Sequence, residues 1–278
     1  MQRIAVIGSG IAGLSAAWLL STRYAVTLFE AAATLGGHTN TIDVVVDGKT
    51  FAVDTGFLEQ AQIRKYKRIL EVLDVGPEQR ILEIGCGWGG FAEHAVSTRG
   101  CRVHGITLST EQLAFARERL QQAGLGDRAT FELRDYRDVS GEYDFIVSIE
   151  MFEAVGERYW PRYFRSVRDR LRRGGRALIQ TIVIADELFE RYRTGTDFIQ
   201  QYVFPGGMLP SPRVFRERAF QQGLTPGEGF AFRYDYAETL KRWRHTFNNR
   251  VTELAGLGFD ERFIRLWYFY LIHKVTGL

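Results

Sequence analysis

An α/β fold, a doubly wound parallel sheet preceded by a small βαβ dinucleotide-binding-like unit, is what this 278-residue sequence predicts. Three observations predict it. Strand-like and helix-like segments alternate from residue 80 to residue 183, the pattern of parallel strands joined by helical crossovers. The first of those strands runs into a glycine-rich turn, Gly85-Cys-Gly87-Trp-Gly89-Gly90. A second glycine fingerprint, Gly8-Ser-Gly10-Ile-Ala-Gly13, lies near the start of the chain.

The N-terminal unit reads as a strand over residues 3–7, an Ala/Leu-rich helix over 11–22 and a strand over 25–29. Glu30 closes it, 17 residues after Gly13. In such a unit the helix N-terminus receives a pyrophosphate and the acid takes a ribose hydroxyl. The apolar run Ile4 to Leu20 after Arg3 has some look of a signal peptide. Three glycines at fingerprint spacing favour the nucleotide-binding reading. Asp43 to Val53 then reads as a hairpin turning at Asp47-Gly48. The unit ends at about Phe57, so the domains are drawn as 1–57 and 58–278.

From Leu58 a helix is predicted through Leu73, with Ile63, Tyr66, Ile69, Leu70 and Leu73 on its apolar face. Strands follow at 80–84, 101–106, 129–133, 143–149 and 175–183. Helices are predicted over 88–98, 109–123 and 159–172. A ligand crevice is expected at the carboxyl ends of the strands, near Gly85 to Gly90. Beyond them, Phe204 to Pro210 reads as a loop, 226–234 as an edge strand, and 236–255 and 259–275 as aromatic-rich helices.

Composition narrows the function classes. Hydrophobic residues make up 45% and charged residues 25% of the chain, so a core can form. A net charge of +3 carries no nucleic-acid signature. Arg158 to Arg176 nevertheless holds eight arginines, either a solvated helix face or a surface for anionic lipid head groups. Two cysteines, Cys86 and Cys101, suggest neither a disulfide framework nor a metal site. No segment reads as a membrane span. The expectation is a cytoplasmic protein with peripheral membrane contact at most.

Gly8, Gly10, Gly13, Glu30, Gly36-Gly37 and Asp54-Thr-Gly56 resemble the opening of FAD-dependent amine-oxidase-like flavoproteins. The resemblance covers about 57 residues and implies an FAD site at Gly8, Gly10, Gly13 and Glu30. The several hundred residues that complete such enzymes have no counterpart in the sequence. FAD is therefore not expected as a working cofactor.

Glu83-Ile-Gly85-Cys-Gly87-Trp-Gly89-Gly90 resembles the S-adenosylmethionine (SAM) loop of class I methyltransferases, where glycines let the backbone approach the cofactor. The next strand ends at Gly105-Ile-Thr107-Leu108-Ser109, with Gln112 following; hydroxyls and an amide stand where many such enzymes place an acid for the ribose. The strand after that ends at Asp135-Tyr136, an acid for the adenine amino group and a ring to stack or pack near it. With Ser148 to Glu157, Tyr159 to Phe164, Asp197 to Pro210 and Asp235 to Leu240, these segments resemble the cyclopropane-fatty-acyl-phospholipid synthase and mycolic acid cyclopropane synthase family over residues 58 to about 275.

That resemblance implies attack of a cis acyl double bond on the SAM methyl, then loss of a proton to a bound bicarbonate ion. It implies unsaturated phospholipid acyl chains as substrate. By position, Glu153 is the bicarbonate-binding glutamate, Tyr236 the tyrosine and Ile182 the backbone contact. Gln180 stands at the family's histidine position; an amide donates a hydrogen bond but carries no proton. The family's upstream cysteine segment is not found, so part of the SAM cover and one wall of the acyl pocket are expected to be missing. Two rival expectations stay open: an FAD-dependent oxidoreductase, and an inactive fusion of two enzyme fragments.

Each residue also has a plainer reading. Glu153 suits the first turn of a helix. Thr107, Ser109 and Gln112 suit a helix cap. Gln180 suits a strand end that satisfies backbone groups. Tyr236 and the run Trp267 to Tyr270 suit a core.

Overall fold

The computed structural model describes residues 3–7, 25–29, 42–46, 49–53, 56–195, 198–204, 206–256 and 258–276. They fall into two compact units, Gln60–Pro226 and Met1–Glu59 with Gly227–Leu278. In the latter, β1 (Arg3–Ile7) pairs in parallel with β2 (Ala25–Phe29), as a βαβ unit requires. β3 (Ile42–Val46) and β4 (Lys49–Val53) form the antiparallel hairpin. The helix expected over 11–22, the turn at Asp47-Gly48 and the residues Gly8, Gly10, Gly13 and Glu30 lie outside the described residues.

Helix α1 (Gly56–Leu73) leads into the sheet. Ile69, Leu70 and Leu73 are buried as expected, but Ile63 is 41% exposed, so the buried stripe begins later than the apolar pattern does. Then come β5 (Arg80–Ile84), α2 (Gly90–Arg99), β6 (Arg102–Thr107), α3 (Thr110–Gln122), β7 (Ala129–Leu133), β8 (Tyr143–Ile149), α4 (Trp160–Arg170) and β9 (Leu171–Gln180). All five strands are parallel, in the order β7-β6-β5-β8-β9. The order reverses between β5 and β8. The crevice outside their carboxyl ends is where a doubly wound sheet binds ligands.

Local chemistry explains the boundaries. Gly100 ends α2 in the left-handed region at φ 64°, its N–H donating to the Val96 carbonyl. Ser109 caps α3, its hydroxyl accepting from the Gln112 N–H. Pro161 sits in the first turn of α4, where no donor is needed. Trp160, Tyr163, Phe164 and Val167 recur at helical spacing on α4 and are all buried.

Two expectations change. The last strand starts at Leu171 and not at 175, because β9 carries an irregularity. Its pairing jumps from Tyr143 with Leu171 to Phe145 with Arg176, and Gly174 sits at φ 79° inside the jump. The edge strand expected over 226–234 does not form. Residues 224–232 have no regular structure, and a helix begins at Arg233. Pro226, Gly227 and Gly229 interrupt any alternation, and Phe230 is 60% exposed, so no face is buried.

After β9 come α5 (Phe189–Thr194) and α6 (Pro212–Gln221), then α7 (Arg233–Asn249), α8 (Val251–Gly256) and α9 (Glu261–Thr276), the C-terminal helices that the aromatic-rich pattern predicts. On α9 Trp267 and Tyr270 are buried while Tyr268 and Phe269 are 45% and 48% exposed, so the run is amphipathic and half of it is core. Among the described residues no helix is long and apolar enough to cross a membrane.

The core of the 60–226 unit is aromatic. Phe152 is fully buried, stacked on Trp160 at 5.5 Å and edge-on to Tyr163 and Phe215 at 5.0 and 5.1 Å. Burying one such ring stabilises by roughly 1.5–3 kcal/mol. This cluster fixes the turn that follows β8.

Candidate active site

The turn after β5 is held open by three glycines with positive φ: Gly85 at 81°, Gly87 at 51° and Gly89 at 77°. The N–H groups of Gly85 and Cys86 donate to the Ile106 carbonyl at 3.0 and 2.9 Å, which ties the turn to β6. A Cβ on Gly85 would meet Met151 at 3.0 Å, whereas one on Gly87 would meet nothing within 4 Å. Gly87, itself part-buried, thus has open space where a side chain would stand. Beneath the turn Glu83 is 2% exposed, and its Oε2 has no hydrogen-bond partner. Burial raises its carboxyl well above the usual range.

At the end of β6, Thr107, Ser109 and Gln112 are knitted together. Thr107 Oγ1 donates to Gln112 Oε1 at 2.7 Å and accepts from the Ser109 N–H at 3.1 Å. The plain cap reading of Ser109 is therefore correct, and the cap also orients the Gln112 amide. Leu108, between them, is 52% exposed. At the end of β7, Asp135 is gripped by Arg137, which donates to both carboxylate oxygens at 2.8 and 2.6 Å. That pairing holds the Asp135 carboxyl below its usual value. Tyr136 is half-buried, edge-on to Tyr163 at 5.3 Å.

The turn after β8 brings the other predicted residues together. Glu153 follows the anchored Phe152, and its carbonyl accepts from the Met208 N–H at 2.9 Å, so the loop through Pro210 docks on it. The Ile182 N–H donates to Glu153 Oε1 at 2.5 Å. Glu153 Oε2 is buried with no partner. Burial lifts this carboxyl to about 7 against the opposing pull of the Ile182 N–H, and the charge of Glu150 adds to the rise. Gln180, at the end of β9, donates through Nε2 to Glu150 Oε1 at 2.6 Å.

Sequence reading missed Lys65, Tyr66 and Glu150. Burial lowers the Lys65 ammonium and the Glu150 carboxylate raises it. Tyr66 packs edge-on to Phe91 at 5.8 Å, and its hydroxyl would lie 3.1 Å from a Cβ on Gly90. Burial pushes its phenol up, and the charges of Glu83 and Glu150 add to this. Helical periodicity marked Tyr66 as an apolar position; only long-range packing reveals its polar company. Glu150 follows β8 directly, so its position at a strand's carboxyl end was the available signal.

Tyr236 lies on α7, in the other unit, with its N–H bonded to the Phe232 carbonyl. The arginines between 158 and 176 are largely committed. Arg168 pairs with Asp169 and the Gln222 carbonyl, Arg172 with Asp144, and Arg176 with the Val72 and Leu73 carbonyls. These arginines are thus engaged within the fold, a use that neither reading of the stretch anticipated. Cys86 and Cys101 are both buried and unbridged. Among the described residues no cluster has the makings of a metal site.

The donor set fits SAM. An open glycine turn, a buried and unpartnered Glu83 oxygen for an ammonium, and an oriented Gln112 amide line one edge of the sheet. It does not fit a free bicarbonate. Two of the donors expected to hold that anion, the Ile182 N–H and Gln180 Nε2, each serve a protein carboxylate.

A five-stranded parallel sheet in this order, with the glycine turn at its carboxyl edge, defines the class I SAM-dependent methyltransferase fold. The chain belongs to the mycolic acid cyclopropane synthetase family, which residues 48–276 match. Residues 6–74 also match the NAD(P)-binding Rossmann-like domain. The chain is 44% identical over 221 residues to a tuberculostearic acid methyltransferase of Mycobacterium tuberculosis, covering 79% of this chain and 52% of that one. It is 36% identical over 219 residues to the cyclopropane-fatty-acyl-phospholipid synthase of Escherichia coli, covering 78% and 54%. The chain thus spans about half the length of these relatives. Among solved structures, a cyclopropane synthase from Mycobacterium tuberculosis matches with a TM-score of 0.71 at 25% identity, over 79% of this chain and 80% of that one. A mycolic acid cyclopropane synthase complexed with SAH and CTAB matches at 27% identity with the same TM-score and coverage.

Proposed function

We propose that residues 58–278 form a SAM-dependent methyltransferase domain that acts on a cis double bond of unsaturated acyl chains in phospholipids, at a membrane surface. One observation carries this reading: the buried carboxylates Glu83 and Glu153, each with an unpartnered oxygen, stand at the switch point beside an open glycine turn. Bound SAM supplies an electrophilic methyl on a sulfonium. Gly85 and Gly87 admit its amino-acid end, and Glu83 receives the ammonium. Thr107, Leu108, Ser109 and Gln112 hold the ribose side. Asp135 shares its carboxylate between Arg137 and the adenine amino group, with Tyr136 packing near the ring. Ionised Glu153, held by the Ile182 N–H, stabilises positive charge that develops on the acyl chain. Tyr236, the tyrosine that the family resemblance implies for the bound anion, lies on α7 outside the 60–226 unit. In this reading residues 1–57 are an appended dinucleotide-binding-like unit in which Gly8, Gly10, Gly13 and Glu30 serve no working FAD.

The test is incubation of the full chain with methyl-labelled SAM and vesicles of cis-unsaturated phospholipid, with mass spectrometry of the acyl chains. Ring-closed or branched labelled chains are expected. A folded protein that binds SAM and labels no lipid overturns the reading in favour of an inactive fusion.

A further inference from the structure

The turn after β8 holds a feature that methyl transfer alone does not require. Glu150 sits in the left-handed region at φ 51°, where a glycine is cheaper and a side chain is normally avoided. Two backbone and side-chain contacts hold it there. Its N–H donates to the Gln180 carbonyl at 2.9 Å, and its Oε1 accepts from Gln180 Nε2 at 2.6 Å. The charges of Lys65 on α1 and of Glu153 on the same turn act on it with opposite signs. Glu83 and Tyr66 complete the polar surroundings.

The consequence concerns the anion that the family resemblance implies. Two of the groups expected to hold it, Gln180 and the Ile182 N–H, are each engaged by a carboxylate built into the chain. A further anion at these two donors would find both committed and would lie beside the carboxylates that occupy them, where like charges repel.

We propose that the Glu150 carboxylate, held in a left-handed turn by Gln180, takes the place of a free bicarbonate and is the proton acceptor of the site. This rests on the methyl-transfer reading above. The step balances without a further reagent. The double bond's electron pair takes the methyl, the sulfonium becomes a neutral thioether, and the acyl chain carries one positive charge. A C–H bond of the added methyl then breaks. Its electron pair closes the ring, and its proton passes to a Glu150 carboxylate oxygen.

Two measurements test this, and the first is independent of turnover. The full chain, with S-adenosylhomocysteine present, is titrated with ¹³C-labelled bicarbonate and followed by NMR. No saturable binding to the native chain is expected. Glu150→Gly, which relieves the left-handed backbone while freeing Gln180, is expected to bind the ion. Saturable binding to the native chain that Glu150→Gly fails to strengthen overturns the proposal. The second measurement is labelled-methyl turnover in carbon-dioxide-depleted buffer. Native activity is expected to be independent of added bicarbonate, Glu150→Gln to lose about 10²–10⁴-fold, and Glu150→Gly to regain activity on adding bicarbonate. Native turnover that requires bicarbonate, or a fully active Glu150→Gln, overturns it. Absence of any native methyl transfer sinks the functional reading instead, and the titration still decides the anion.

Discussion

The two ends of the parallel sheet differ in how they treat their carboxylates. At the amino end Glu78 accepts from Arg102 at 3.0 Å and from Arg128 at 2.5 Å, and Asp144 accepts from the Arg80 N–H and from Arg172, both at 2.8 Å. Hydrogen bonds from Arg128 and Arg102 hold the Glu78 carboxyl below its usual value. At the carboxyl end Asp135 is likewise matched, by Arg137, but Glu83 and Glu153 each bury an unpartnered oxygen, and burial raises both. Paired, solvated acids at one end contribute to fold stability. Desolvated, half-satisfied acids at the other cost stability and are tolerated where a cation is to be received.

The contrast is sharpest at Glu153. Glu153→Gln is expected to lower labelled-methyl turnover by about 10²–10⁴-fold while SAM affinity changes little. A matching loss of SAM affinity, read by calorimetry, would place the carboxylate on the cofactor and not on the acyl chain. Native turnover should rise with pH through about 7, as the raised Glu153 carboxyl ionises. Stability should move the other way. Its folded pKa exceeds the unfolded one, so the folded state holds a proton that the unfolded chain releases. That stabilisation is full below the ordinary carboxylate pKa and is lost as pH rises through about 7. Urea midpoints between pH 5 and 8 should fall in the native chain and fall less in Glu153→Gln.

Glu83→Gln comes next. SAM affinity should drop by about tenfold, roughly 1.4 kcal/mol, the scale of one lost charge-assisted hydrogen bond. The ligand-free protein should melt no lower, since the variant replaces a desolvated carboxyl that already has an unpartnered oxygen. A large loss of ligand-free stability would mean that Glu83 is a structural group. Gly105→Ala probes the wall behind the turn. Its Cβ would lie 2.6 Å from Phe131 and 2.9 Å from Cys86 Cβ. Overpacking of this kind costs about 1–3 kcal/mol, measured by urea unfolding.

Smaller effects close the series. Ser109→Ala removes the α3 cap and should cost about 1 kcal/mol. An additional loss of SAM affinity would show that the cap also serves the cofactor. At the amino end, Glu78→Gln should barely shift the urea midpoint at neutral pH, and less still at high salt. What Glu78 does contribute is present above the ordinary carboxylate pKa and disappears as pH falls below it. A large Glu78 effect would break the comparison between the ends.

Much of this was legible in the chain itself. Glycines after a run of aliphatics can only turn, so the strand at Arg80–Ile84 and the turn at Gly85 follow from local sterics. Ser109 before a helical pattern announces its own cap, and the spacing of Trp160, Tyr163, Phe164 and Val167 announces a buried helix face. These are short-range rules, and the chain obeys them over a few residues. The irregular start of β9 and the absent strand at 226–234 are decided by pairing and burial with distant segments, which periodicity cannot register. The same holds for the site. Sequence alone placed Glu83, Thr107 and Asp135 at or just beyond the ends of strands; it did not single out Glu150, and it ran the last strand on past Gln180 to 183, where the structure ends it at Gln180. Only the tertiary structure decided that Gln180 is spent on Glu150 and that the Ile182 N–H is spent on Glu153. Hydrogen bonds and desolvation depend on which surfaces meet, and residues 150 and 180 meet only when the sheet is assembled.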